Sequence, residues 1–206
     1  MSKYRRLLKT KRFLFSLGII LGALAILAVR FATYNPDRVH YHANFAVYIN
    51  GQQEKFEGPR YYEETEASSC SEEHVEDPLE RAHMHGNVSS VVHVEDHLVT
   101  WGNFFQNIGW GIGDDYLKTA DKIYSPTAGN KLTFTLNGKN VESITNLIIG
   151  NEDKLLVSYG NSSSEQLEKQ YSGIQNQARK YNTEKDPAGC SSNTPINRSD
   201  RFKHMF

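Results

Sequence analysis

Apolar positions along this chain change period as it proceeds. Residues 13–29 (FLFSLGIILGALAILAV) are uncharged throughout, 17 residues in all. At about 1.5 Å per residue such a helix just reaches across a hydrocarbon core. From Val39 the period drops to two. Val39, Tyr41, Ala43, Phe45, Val47 and Ile49 alternate with His40, His42, Asn44, Ala46 and Tyr48, which predicts a strand with one apolar face. Asn50-Gly51 predicts a type I′ turn into a second strand near 52–56. Residues 91–99 again read as strand, and 101–110 (WGNFFQNIGW) as a short helix N-capped by Thr100 with its aromatics turned inward. Lys131–Leu136, turned by Asn137-Gly138 into 139–144, and then 154–159 predict further strands. The two Asn-Gly hairpins hint at a distant internal duplication. A polar helix capped by Ser164 runs to about Tyr181, and the remainder reads as an extended tail.

Hairpins and short helices in mixed order predict an α+β domain with no βαβ unit. The organisation expected is a basic leader at 1–12 and a transmembrane anchor at 13–33. An extracytoplasmic domain follows at 34–162, then a polar helix and tail at 163–206. Between them, 58–80 is acidic and poor in apolar residues and reads as a solvated loop.

Charge sharpens the placement. The leader carries Lys3, Arg5, Arg6, Lys9, Lys11 and Arg12 with no acid, so the N-terminus is expected in the cytoplasm and the domain outside. A cleaved signal peptide is the rival, yet Arg30 and Phe31 follow the apolar run where small residues would favour cleavage. Beyond Arg30 lie all 24 acidic residues and 16 basic ones, a net of −8. That argues against nucleic acid as a partner and suits cations. Cys70 and Cys190 are the two cysteines, and an extracytoplasmic compartment permits a disulfide between them. Such a bridge would contribute about 3–5 kcal/mol in the chain-entropy account. With no C-x-x-C, dithiol exchange of the thioredoxin kind is not expected.

Seven of the eight histidines fall between His40 and His97. His40 and His42 bracket Tyr41, His83 and His85 bracket Met84, and His93 and His97 flank Glu95. Residues two apart on a strand face the same way, so each cluster offers two or three ligand-type groups on one face. Imidazoles at this density suit a borderline-soft divalent metal such as zinc or copper, with three or four ligands near 2 Å. The candidate ligands are His40, His42, His83, His85, His93 and Glu95. Met84 should point to the opposite face, into the core. His97 is a weaker candidate because the chain can already be turning there; His74 in the acidic loop and His204 in the tail are set aside. A calcium site in the acidic loop lacks D-x-D-x-D-G spacing. Two rivals to simple metal binding stay open: a metal-dependent enzyme with Glu95 as general base, and a surface interaction module whose histidines are incidental.

HYHANFAVYING, AHMHGNVSSVVHVEDHLVTWGNFFQNIG, LTFTLNGKNV and LLVSYG, spanning about 39–160, together resemble a group of extracytoplasmic, histidine-rich bacterial and archaeal proteins. His40, His42, His83, His85, His93 and Glu95 match that group's polar positions, and Phe104, Phe105 and Gly109 match its helix. The resemblance implies a metal-binding module, with copper among the metals. Some members carry disulfide-isomerase labels, from which this chain departs by lacking C-x-x-C. The expectation is thus a single-pass, N-in membrane protein whose α+β domain binds copper or zinc through clustered histidines; a protein partner is not specified.

Overall fold

The computed structural model describes residues 2–34, 39–62, 81–84, 86, 88–184 and 198–203. They belong to two units. In the first, helix α1 (Ser2–Thr33) contains Thr10–Thr33, whose most apolar 18 residues have a mean hydropathy of 2.3 and are not buried. It is the one helix among the described residues long and apolar enough to cross a membrane, a pattern shared by membrane anchors and signal sequences. A short helix, α5 (Arg198–Lys203), lies in what the sequence reads as extended tail. Its Arg201 Nη1 donates to the carbonyls of Phe31 at 3.0 Å and Ala32 at 3.3 Å. A cation at the carbonyl end of α1 meets orphan acceptors and the negative end of the helix dipole.

The second unit is built on β1 (Tyr41–Ile49), whose alternation the structure reproduces. Ala43, Phe45, Val47 and Ile49 enter the main core, while His42, Asn44, Ala46 and Tyr48 face the other side. Asn50 (φ 51°) and Gly51 (φ 80°) make the left-handed turn into β2 (Gln52–Gln53), as two positive φ values in a type I′ turn require. β2 stops after two residues, and Phe56, expected within it, instead lies buried in the core. β3 (Ala82–His83) and β4 (Val91–Val94) extend the sheet on one side of β1. On the other side come β10 (Lys154–Gly160), β8 (Lys131–Leu136) and β9 (Lys139–Val141). The order is β3-β4-β1-β10-β8-β9, with β2 paired to β1. The fold is α+β.

One feature of the sheet differs from a set of sequential hairpins. β1 and β10 pair in parallel, Asn44 opposite Lys154 through Ile49 opposite Tyr159. Their separation of more than 100 residues lets the connection cross the sheet without a βαβ unit.

Helix α2 (Trp101–Asn107) covers the apolar face, with Trp101, Phe104 and Phe105 buried. Thr100 caps it in a full capping box with Asn103. It ends at Asn107, so Trp110 packs from the following turn; Gly109 takes φ 76° there. Fully burying aromatics of this size contributes about 1.5–3 kcal/mol each. A small sheet, β5 (Gly111–Ile112), β6 (Leu117–Lys118) and β7 (Ile123–Tyr124), adds Ile112 and Leu117 to the same core.

The opposite face is covered from the C-terminal side. Ser163, one residue before the expected cap, begins α3 (Ser164–Gly173) with a capping box to Gln166. The single helix expected to Tyr181 breaks: Ile174 is extended (ψ 116°) and joins Ala46 and Leu156 in a second apolar cluster. Burying Ile174 there outweighs continuing the helix. α4 (Ala178–Tyr181) resumes after the break. The buried Asn44 Oδ1 accepts the backbone N–H groups of Gln177 and Ala178, both at 2.8 Å. The sheet-bearing unit therefore continues past residue 162 through both helices.

Candidate metal centre

Strand register assembles the site. In β4, His93 is the Cα partner of His42 in β1 on one side and of His83 in β3 on the other. Three histidines thus form a row across three neighbouring strands, all on the sheet face away from the main core. Cross-strand neighbours lie about 4.5–5.5 Å apart, so the sheet itself sets the spacing. His40, two residues before His42, falls on the same face at the entry to β1.

The rings follow the backbone. From the His93 ring, the centroids of His42, His40 and His83 are 4.6, 4.7 and 5.0 Å away. His42 and His93 are stacked, while His40 stands edge-on to both. His42, His83 and His93 are buried and His40 is partly so. One ligand nitrogen each from His40, His42 and His93 lies within 4.8 Å of the others, a cluster that could hold a metal ion. His83 is beside His93 but outside that closest trio. Glu95 stands at the edge, its Oε1 3.4 Å from His93 Nε2 and its side chain about one-fifth exposed (21%).

The remaining sequence candidates separate cleanly. Met84 is fully buried in the apolar core, on the face its alternation with His83 predicts. His97 is exposed, because β4 ends at Val94 and the chain turns through Leu98 (φ 57°). Arg81 secures that turn, its Nε 2.5 Å from Asp96 Oδ2 and its Nη2 donating to the His97 carbonyl. His85, Cys70, Cys190, His74 and His204 lie outside the described residues, as does most of the acidic segment.

Two supports have no counterpart in the histidine pattern. Asn107, at the end of α2, donates from Nδ2 to the Ala82 carbonyl at 2.8 Å, holding β3 where it presents His83. Asn182, just after α4, directs its Oδ1 at His42, 2.9 Å from the backbone nitrogen and 3.0 Å from ring Nδ1. Asn182 is 140 positions from His42, and no local motif links them.

No family model, curated protein or solved structure matches the chain. Imidazoles on zinc lie about 2.0–2.1 Å from the ion, which sets tetrahedral neighbours roughly 3.4 Å apart. Closing from within 4.8 Å to that spacing asks for side-chain adjustments of about 1 Å, within reach of small χ rotations.

Proposed function

We propose that this protein is a single-pass, membrane-anchored binder of a transition metal, copper or zinc, displayed outside the cytoplasm. His40, His42 and His93 form the nucleus of the site, with His83 beside it and Glu95 at its rim; His85 is a further candidate from the sequence. The observation that carries the reading is the convergence of three imidazole nitrogens within 4.8 Å on a covered sheet face. Neutral imidazole is a good ligand for either metal. The basic leader before α1 supports an N-in orientation, and an outside location would also permit the Cys70–Cys190 bridge. The resemblance to extracytoplasmic histidine-rich proteins points the same way.

The test is elemental analysis of the full-length protein purified in detergent, beside a His40→Ala/His93→Ala double variant. The reading expects about one copper or zinc per chain in the parent and a loss of most of it in the variant. Equal metal content in the two overturns it.

The position of Glu95 supports a second reading, in which it is the general base of a metal-dependent enzyme. Its Oε1 lies beside His93, on a side chain that is partly exposed. Glu95→Gln separates the two roles: a base leaves metal content unchanged on substitution, whereas a ligand lowers it.

A further inference from the structure

We infer that Asn182 is a positioning residue that holds His42 with its proton on Nδ1, leaving the Nε2 lone pair for a metal ion. The inference rests on the metal-binding reading for its purpose, but not for its geometry. A single atom of Asn182 faces both the backbone nitrogen of His42 at 2.9 Å and ring Nδ1 at 3.0 Å. A backbone N–H can only donate, so that atom is the amide oxygen and not the nitrogen. The amide nitrogen points away and donates to Asn151 Oδ1 at 2.7 Å. An oxygen at 3.0 Å from Nδ1 has no hydrogen to give. The neutral ring therefore meets it favourably only as the Nδ1–H tautomer, and the other tautomer would set lone pair against lone pair.

The amide is held in turn. The Asn182 backbone N–H donates to the Ala178 and Lys180 carbonyls at the end of α4. The start of α4 is fixed to the sheet by Asn44, whose oxygen accepts from Gln177 and Ala178. The Tyr181 ring lies 5.8 Å from the His42 ring. Within β1 the His42 carbonyl accepts from the Glu152 N–H at 2.8 Å, which fixes the backbone from which the ring projects. A hydrogen-bond acceptor on the non-ligating nitrogen is the usual way a ligand histidine is oriented and made more basic.

The experiment is long-range ¹H–¹⁵N correlation of histidine-labelled, metal-free full-length protein in detergent at about pH 8, above the ordinary histidine pKa. The parent is expected to show His42 as Nδ1–H. Asn182→Ala should shift it toward Nε2–H or a mixture, and weaken Zn²⁺ binding about 10–100-fold. Asn182→Asp keeps an acceptor oxygen and should restore the Nδ1–H pattern. A parent His42 in the Nε2–H form overturns the inference, as does an unchanged tautomer in Asn182→Ala. A parent that shows Nδ1–H yet takes up neither zinc nor copper overturns the metal-binding reading and leaves the role of Asn182 standing.

Discussion

His42 and His93 are Cα partners across β1 and β4, their rings stacked 4.6 Å apart and 21° from parallel. Because side chains alternate along a strand, a one-residue slip of either strand would send one of these rings into the apolar core. The same alternation puts Ala43, Phe45 and Val47 in that core, so hydrophobic burial fixes the register that brings the imidazoles together. The imidazole spacing is a by-product of core packing, with His93 the hub of the group.

Metal should raise the melting temperature of the intact protein, because an ion that binds only the folded state stabilises it by mass action. At a hundredfold excess over Kd the gain is about 2.7 kcal/mol, or roughly 5–10 °C for a domain of this size. His93→Leu keeps the buried volume and removes the hub imidazole, so Zn²⁺ or Cu²⁺ should leave its melting temperature within about 1 °C of the metal-free value. A variant that responds as strongly as the parent would show that the ion binds elsewhere.

Asn44→Ala should loosen the cover over the histidine face. Asn44 is fully buried and accepts from Gln177 and Ala178 while donating to Asn176 Oδ1 and the Asp153 carbonyl. Truncation strips two backbone N–H groups of their acceptor at once, a loss of about 2–4 kcal/mol by the usual cost of unmatched buried polar groups. Hydrogen exchange at residues 177–182 should accelerate well ahead of exchange in β10. Uniform acceleration across the sheet would mean that Asn44 supports the fold as a whole and not this cover.

Much of the sheet was legible because its signals are local. The alternation of β1, the two Asn-Gly turns and the Thr100 cap each depend on neighbouring residues, and each forms. Asn137 (φ 50°) and Gly138 (φ 78°) repeat the geometry of Asn50 and Gly51. The alternation also placed His40, His42, His83 and His93 on one side and Met84 on the other. Long-range features left no such trace. Parallel pairing of β1 with β10 is a choice between distant strands, and the two-residue strands β5–β7 are too short to show a period. The break at Ile174 depends on an apolar pocket formed by Ala46 and Leu156. Asn182 reads as an ordinary residue in a polar segment until the fold carries it to His42.

Gly102→Ala should destabilise the protein through a steric clash that involves no ligand. A methyl group added at Gly102 would sit 2.5 Å from the Thr145 carbonyl oxygen and 3.0 Å from Thr145 Cγ2. The close approach is productive in the parent, since the Gly102 N–H donates to that oxygen at 3.2 Å. The helix must lift away from the loop to admit the methyl, at about 1–3 kcal/mol as for other overpacked sites. Thermal unfolding gives the cost; a melting temperature equal to that of the parent would mean that the loop at Thr145 yields freely.

Alkaline unfolding should depend on Tyr41. Its hydroxyl donates to the Ile149 carbonyl at 2.7 Å, a bond that exists only in the protonated form. Burial, and then the negative charge of Asp153, raise its pKa above the usual 10. The folded state therefore holds this proton more tightly than the unfolded chain does. The associated stability is fully present below pH 10 and is lost as pH rises through the higher folded value. Tyr41→Phe removes the hydrogen bond, costing about 1 kcal/mol at neutral pH, and also removes one source of the alkaline decline. Tyr62 and Tyr171 are raised too, chiefly by burial, so the variant should retain a shallower decline. Melting temperatures from about pH 8 to 11 measure both effects. Parent and variant curves that run parallel above pH 10 would mean that Tyr41 ionises as readily in the folded protein as in the unfolded chain.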